Sequence, residues 1–423
     1  MITFEPPELR EQLSEAIRIL EGLLDSIGYF SDDLVDPTSP DFDEAAYPDL
    51  TVRPQSEFQL GLPYVADVIT MTYGDLLSLA DELNGAELVA NVEGWTARRL
   101  LLRIEPGIPS EWYMSVERAL EASGATGILA QESTVDGVQV RCSLVRDSVI
   151  FGILVVAYGY YEKHFPPIDG DHFIEVLTTG SLPRETVRAA ANAYMFELAA
   201  TLRIDCRPSA RPDVDDFISE SDQLSEPDTL PQLRPLLMGS GLEAVIEIYN
   251  RAIRAYDASF EILGFTKVIE HVSQTVVRQQ LTDAVRAKLA SPRALSPDAG
   301  FVLELEHLMA ELRVNRKDKE AIRLTVQACC EAVELQNAAP PFLKRLRSLT
   351  SDADEKERRS GLEEFAFALS ATRNWIAHAK AGYTPTGEEC PPEQLGGFAS
   401  CARLAAEQAI RWYAARHESS RVT

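Results

Sequence analysis

The sequence predicts an α+β protein in which an acidic mixed domain with a small antiparallel sheet precedes an all-α helical bundle. A β-hairpin pattern lies within residues 127–161, whereas helical periodicity dominates from residue 241 onward. The charge also changes along the chain. Residues 1–235 contain 16 Lys and Arg against 41 Asp and Glu, a net charge of −25, whereas residues 236–423 contain 24 against 25, a net charge of −1. This asymmetry favours two domains with different roles.

The composition, 45% hydrophobic and 25% charged residues, is that of a globular protein. The net charge of −26 argues against a protein that coats nucleic acid non-specifically. The longest apolar run, residues 149–161, is shorter than the roughly 20 residues that a membrane-spanning helix needs. The six cysteines match neither a zinc pattern nor a small disulfide framework, which favours reduced thiols. We therefore expect a cytoplasmic protein with no membrane span.

The first half opens with a predicted helix at residues 8–27, where leucine and isoleucine recur every three or four positions. A strand is predicted at 65–73, and helices at 74–83 and 112–122. These elements precede the sheet.

The predicted sheet is built around Asp136-Gly137, a dipeptide that favours a tight hairpin turn. Strands are expected on either side of it, at 127–132 and 138–144. The run at 149–161 is rich in β-branched and aromatic residues and is predicted to be the third strand.

A helix at 183–202 ends the first domain, which we place at residues 1–206. Residues 207–235 contain five prolines and a run of Asp, Ser and Glu, a composition that buries little apolar surface. We expect this stretch to be a linker. The second domain then spans residues 236–423.

The second domain is predicted to be entirely helical. Its first helix covers residues 244–277, with a kink near Gly264. Pro, Gly or Ser/Asp segments separate most of the later helices, which is typical of a helical bundle. Those helices are predicted at 279–289, 299–312, 317–335, 341–349, 360–381 and 394–416.

One helix of this bundle carries an unusual set of polar residues. Ser360 is its predicted N-cap, with Glu363 as capping-box partner. Asn374 and His378 are four residues apart and therefore share a face. Arg373 lies about 100° from Asn374, and its long side chain can reach the same patch.

Arginine, asparagine and histidine together suit phosphodiester chemistry. Histidine transfers protons near neutral pH, and arginine stabilises the developing charge of a phosphate. RNA supplies its own nucleophile, the 2′-hydroxyl, so no metal or cofactor is required. Each chain offers one histidine here, whereas the reaction needs an acid and a base. The chemistry therefore predicts a homodimer in which two copies of His378 face each other.

The segment RNWIAH at residues 373–378 resembles the Arg-Asn-x-x-x-His motif of HEPN ribonuclease domains. Residues 249–272 resemble the first long helix of the Apea-like branch of that family, which ends in a glutamate, here Glu270. The resemblance covers residues 240–416. It implies a dimeric helical bundle that cuts RNA without a metal, leaves a 2′,3′-cyclic phosphate, and serves as a toxin or an effector of abortive infection and anti-phage defence.

By this resemblance Arg373, Asn374 and His378 are the catalytic residues. Lys380 and Glu270 are weaker candidates for substrate binding: Lys380 to touch phosphate, Glu270 to hold the arginine. Each also has a plain structural explanation, since a helix C-terminus favours a cation and an exposed helix favours a solvated glutamate.

Two further interpretations stay open. The second domain is either a HEPN-like scaffold that dimerises or binds RNA or a nucleotide without cutting it, or an unrelated interaction domain. The acidic first domain is expected to be a sensor or regulator. Its charge favours a protein partner, or self-inhibition of the RNA path by repulsion, over nucleic acid. A regulatory or phage-derived protein is the partner expected if the domain serves defence. Basic residues near the predicted site either guide RNA or form a solvated face: Lys344, Arg345, Arg347, Lys356, Arg358 and Arg359.

Overall fold

The computed structural model describes residues 3–24, 38, 51–66, 68–106, 129–210, 232–255, 257–314, 318–377 and 387–422. Contacts divide the chain into two compact units. Unit 1 comprises Met1–Tyr194 and Cys206–Pro235, and unit 2 comprises Met195–Asp205 and Leu236–Thr423. The predicted fold class is confirmed, because strands and helices alternate in the N-terminal part and the described C-terminal part is helical.

Unit 1 is an α+β unit in which helices pack on an antiparallel sheet. The predicted helix at 112–122 lies outside the described residues. The strands and helices of this unit are β1 Thr3–Phe4, α1 Leu9–Leu24, β2 Thr51–Val52, β3 Glu57–Leu60, β4 Ile69–Thr72, α2 Tyr73–Leu83, β5 Glu87–Val89, β6 Glu93–Trp95, β7 Arg99–Pro106, β8 Gln131–Val135, β9 Val138–Arg146, α3 Val149–Ala157, β10 His172–Thr178, α4 Arg184–Glu197 and β11 Cys206–Pro208.

The main sheet has the strand order β5-β6-β7-β10-β9-β8, with β11 paired to β7, and all of its pairings are antiparallel. The predicted hairpin is confirmed. Asp136 and Gly137 have positive φ angles of 50° and 81°, as a type I′ turn requires, and Val135 pairs with Val138 across it. The sheet is larger than expected because β5, β6, β7, β10 and β11 join it.

The predicted third strand at 149–161 is wrong, since residues Val149–Ala157 form helix α3. Ser148 caps this helix by accepting a hydrogen bond from the backbone N–H of Phe151. Residues 150–156 are buried all around the helix, which removes the amphipathic pattern that would have identified it. Gly152 permits this burial, because a Cβ there would lie 2.7 Å from Ile168.

The core of unit 1 lies between the first three helices and one face of the sheet. The apolar stripe predicted for α1 is confirmed, with Leu13 and Leu20 fully buried. Helices α1, α2 and α3 pack together with Leu101 of β7 and Phe173 of β10 in one cluster. Burial of this stripe, more than helix propensity, stabilises α1.

The predicted linker at 207–235 needs correction at its start. Cys206–Pro208 forms β11, where Cys206 pairs with Pro106 and Arg207 forms an ion pair with Glu105. Residues 211–231 lie outside the described part of the chain. The proline content of this stretch gave no indication of β11, since a short edge strand depends on a distant partner.

Unit 2 is a helical bundle. The helices of its described part are a π-helix at Leu198–Leu202, α5 Leu242–Ala252, α6 Ala258–Leu289, α7 Ala299–Val314, α8 Asp318–Cys329, α9 Ala332–Ala338, α10 Lys344–Arg347, α11 Glu355–Ala377 and α12 Leu395–Ala414, with short 3₁₀ turns at Pro292–Leu295, Pro392–Gln394 and Glu418–Ser420.

The single kinked helix predicted at 244–277 is wrong, because the chain breaks between α5 and α6. Asp257 begins α6 by accepting hydrogen bonds from the N–H groups of Ser259 and Phe260 at 2.8 and 3.2 Å. Gly264 lies where α5 and α6 cross, and not at a kink within one helix. A Cβ at this position would lie 2.5 Å from the Cβ of Ala252, so the glycine lets α5 and α6 approach closely.

Residues 195–205, which include the last three residues of α4, belong to unit 2, although we predicted them within the first domain. A partly buried charge network attaches them to α12. Arg403 lies 2.7 Å from Asp205 and 3.1 Å from Glu407, and Arg411 lies 2.9 Å from Glu197. Glu197 is fully buried, so loss of its partner would leave an uncompensated charge.

None of the described helices is both long and apolar enough to cross a membrane. The six cysteines are free thiols, five of them buried.

The close crossing at Gly264 generates a test. We expect Gly264→Ala to destabilise unit 2 by about 1–3 kcal/mol, because overpacking outweighs the gain in helix propensity. The matched control is Gly396→Ala in α12, where a Cβ would meet nothing within 4 Å and a small stabilisation is expected. Urea denaturation followed by far-UV circular dichroism measures both. An equal change in the free energy of unfolding for the two variants would contradict the close approach of α5 and α6 at Gly264.

Candidate functional site

Helix α11 carries the candidate residues and begins earlier than predicted. Asp354 and Glu357 cap each other's backbone: the N–H of Glu357 donates to Asp354 at 2.7 Å, and the N–H of Asp354 donates to Glu357 at 3.0 Å. Ser360, the predicted N-cap, therefore lies inside the helix. A capping box is present, as expected, but it lies about one and a half turns upstream of the predicted one. The first turns of the helix are polar and show no apolar periodicity, so the sequence did not reveal this earlier start.

The buried apolar face of α11 determines which way its polar face points. Leu362, Phe365 and Leu369 are buried, and the helix packs against α6, α8 and α10. Phe365 also meets Phe398 of α12 edge to face, with ring centroids 5.8 Å apart. This burial sets the rotation of α11 and leaves Arg373 and Asn374 partly exposed on its last described turns.

Arg373 stands between a partner on another helix and one on its own. Its Nη2 lies 3.0 Å from Oε1 of Glu270 on α6, and its Nη1 donates to Oδ1 of Asn374 at 2.9 Å. The side chains of Arg373 and Glu270 are 27% and 28% exposed, so solvent and a ligand can reach both. The structure thus brings together three of the five residues singled out from the sequence.

The other two, His378 and Lys380, lie outside the described residues. The expected sharing of a face by Asn374 and His378 therefore stays a prediction. So does the expected end of the helix at residue 381, since the last described residue of α11 is Ala377.

Glu270 is held in an unfavourable electrostatic environment. Burial, the largest cause, raises the pKa of its carboxyl group; Arg373 lowers it, Asp318 raises it and Lys267 lowers it. Its Oε1 atom is buried and has no hydrogen-bond partner among the described residues, although Arg373 is near. The contact is thus an attraction between charges without hydrogen-bond alignment, and it does not offset the desolvation of the carboxylate.

Segment 249–272, matched to a single long helix from the sequence, includes the break between α5 and α6. Glu270 nevertheless lies on the long helix α6, as the resemblance implied, and faces Arg373. Packing of α6 against α11 is what places the two side chains together.

Sequence reasoning missed the residues that support this site. The hydroxyl of Thr372, fully buried, accepts a hydrogen bond from the N–H of Cys390 at 2.8 Å and so anchors the chain beside Arg373. Burial raises the pKa of the Cys390 thiol to about 12, which makes it a poor nucleophile. Asp318, at the start of α8, acts on Glu270 by repulsion. Lys267 lies three residues before Glu270 on the same helix. Of these supporting residues, it alone could have been found from the sequence, by its i,i+3 spacing from Glu270.

The described residues include no group of three or more His, Cys, Asp or Glu side chains that could hold a metal ion. The described side chains of the candidate site are a guanidinium, a carboxyl group and an amide.

Comparisons with known proteins return no match: no family model, no curated protein and no solved structure matches the chain. The resemblance to HEPN domains therefore rests on the sequence alone, on residues 373–378 and 249–272.

The raised pKa of Glu270 predicts a pH dependence of stability. A group whose folded pKa is raised stabilises the fold fully below its ordinary value, 4.5, and that contribution is lost as pH rises through the folded pKa. Glu270→Gln stays neutral and avoids this loss. We therefore expect the difference in melting temperature, variant minus wild type, to be larger at pH 7.5 than at pH 4.5.

Glu320→Gln on α8 is the matched control. A hydrogen bond from Arg323 lowers the pKa of Glu320, so removal of its charge should have the opposite pH dependence. Thermal denaturation of the wild type, Glu270→Gln and Glu320→Gln at both pH values measures these differences. A pH-independent difference for Glu270→Gln would contradict the electrostatic description of the site.

Proposed function

We propose that the chain is a metal-independent endoribonuclease of the HEPN type, which cuts RNA by attack of its 2′-hydroxyl on the adjacent phosphate. The observation that supports this most is the placement of Arg373. It is partly exposed, it is oriented by Asn374, and it is held by a carboxylate without hydrogen-bond alignment.

Arg373 is suited to exchange Glu270 for a phosphate. A partly exposed ion pair contributes little free energy, and Oε1 of Glu270 would lose no aligned hydrogen bond when the arginine leaves. A phosphate offers two oxygens to the guanidinium fork, which the present contact with Glu270 does not. Protonation of Glu270, favoured by its raised pKa, would further release the arginine.

Asn374 supports the same geometry. Its Oδ1 accepts from Arg373, which leaves the amide N–H groups for a second phosphate oxygen or for the ribose. Two groups that donate toward one phosphate would stabilise the charge that develops in the transition state.

His378 supplies proton transfer in this proposal, and the reaction uses a homodimer formed through the helical unit. One His378 takes the proton of the 2′-hydroxyl as its oxygen bonds to phosphorus. The second copy's His378 gives a proton to the departing 5′-oxygen as the bond between phosphorus and that oxygen breaks. The products are a 2′,3′-cyclic phosphate and a 5′-hydroxyl, and no water or metal is consumed.

Uncontrolled cleavage of RNA would harm the cell that makes the enzyme. We therefore propose a regulated toxin or anti-phage defence effector in the cytoplasm. Its acidic unit 1 would bind a regulatory or phage-derived protein. Residues 1–235 hold nearly all of the net charge of the chain, and such a surface repels nucleic acid and favours basic partners.

One observation favours a second candidate function, a non-catalytic scaffold that dimerises or binds RNA or a nucleotide. Arg373 is already paired with Glu270, and a purely structural arginine would be paired in the same way. Cleavage distinguishes the two functions.

We expect the purified chain to cut total or transfer RNA in excess EDTA. His378→Ala should lower the rate by about 10²–10⁴-fold, the usual contribution of general acid–base catalysis. Arg373→Ala should lower it by about 10²–10³-fold, since it removes a charge-stabilising group. The products, separated by gel electrophoresis, should carry a cyclic phosphate.

Arg278→Ala on α6 is the control, because it removes an exposed arginine outside the site and should leave the rate unchanged. Cleavage by every variant would indicate another site or a contaminant. RNA binding by the full chain without cleavage would support the scaffold.

A further inference from the structure

Two short basic segments of unit 2 lie on helices that pack against each other. Lys344, Arg345 and Arg347 are exposed on α10, and Lys356 and Arg359 are exposed at the start of α11. We call these five exposed side chains, on the two sides of the contact between α10 and α11, the basic groove. Among the described residues none of the five forms an ion pair, whereas Arg403 and Arg411 of the α12 network are paired.

Close packing holds the two segments together. A Cβ on Gly361 of α11 would lie 3.1 Å from the Cα of Leu346 and 3.0 Å from Cδ1 of Leu349, so glycine permits the backbones to approach. Leu346 is fully buried between the segments. A cavity of 470 Å³ lies between them, lined by the cations Arg345 and Lys356, the carboxylates Asp354 and Glu357, and the hydroxyl-bearing Ser348, Thr350 and Ser360.

Nearby carboxylates do not occupy the cations, because they bind backbone groups instead. Oε2 of Glu364 accepts from the N–H groups of Arg345 and Leu346 at 2.8 and 3.0 Å. Glu357 caps the backbone of Asp354 at 3.0 Å. The same carboxylates that fix α10 and α11 thus leave the donors of the basic groove free for a ligand.

The groove and the candidate site lie along one helix. Arg359 precedes Arg373 by 14 residues, about 21 Å along α11. That interval is about 40° short of four complete turns, so the two arginines project from similar sides. A ligand with phosphates at regular intervals, lying along α11, would contact both, which a compact anion would not.

We propose that the basic groove binds the phosphate backbone of single-stranded RNA at a distance from the cleaved bond and holds the substrate along α11 toward Arg373. This inference rests on the proposed function for the choice of RNA. The groove would contribute affinity without sequence preference, since its cations and hydroxyls suit phosphates and ribose, not base edges.

Binding of a fluorescein-labelled single-stranded RNA with 2′-O-methyl riboses tests the inference without cleavage, because the nucleophile is blocked. We expect the full chain to bind it with a strong salt dependence. The double variant Arg345→Gln/Arg359→Gln should bind more weakly, and the slope of log K against log salt should fall by about 1.4, about 0.7 for each phosphate that is no longer neutralised. Fluorescence anisotropy over a salt series measures the slope.

Arg278→Gln/Arg286→Gln is the matched control, since it removes two exposed arginines from α6, outside the groove. It should leave the slope unchanged. The inference is overturned if both double variants change the slope equally, if neither does, or if the wild type binds a labelled polyglutamate peptide and not RNA.

The outcome also separates the inference from the nuclease proposal. Groove-dependent binding of RNA with no cleavage of unmodified RNA would leave the groove assigned and reject the nuclease. Cleavage with an unchanged KM in Arg345→Gln/Arg359→Gln would support the nuclease and reject the groove.

Discussion

The packing of α11 against α6 is the constraint on which the candidate site depends. Arg373 and Glu270 come from helices far apart in the sequence, and neither has a local reason to meet the other. Burial of Leu362, Phe365 and Leu369 sets the rotation of α11, and the polar face follows from it. The apolar contacts thus supply the free energy that holds an otherwise weak ion pair in place.

Glycine determines how closely the helices of unit 2 approach each other. Gly264 lets α6 cross α5, and Gly361 lets α11 lie against α10. The first crossing positions the helix that carries Glu270. The second positions the basic groove on the same helix as Arg373. Close backbone packing of this kind limits side-chain rearrangement, so the candidate site and the groove are held on rigid elements, as a preorganised site requires.

The carboxylates of unit 2 differ in the groups that bind them. Buried carboxylates such as Glu197 and Glu407 are satisfied by arginines of α12, whereas Glu357 and Glu364 are bound to backbone amides. Glu270 differs from these four, because burial raises the pKa of its carboxyl group and its Oε1 lacks an aligned hydrogen bond. Under the proposed function this local cost is expected, since a fully satisfied arginine could not release its partner for a phosphate.

The sequence alone determined the fold class, the Asp136-Gly137 hairpin, the buried stripe of α1 and the helix that carries Arg373 and Asn374, because each follows from local periodicity or turn chemistry. Tertiary structure decided the rest. Helix α3 replaced a predicted strand because burial on all sides removes periodicity, and β11 formed only through its distant partner β7. The contact of Glu270 with Arg373, the support from Thr372, and the free cations of the groove depend on packing between helices, which no local pattern specifies.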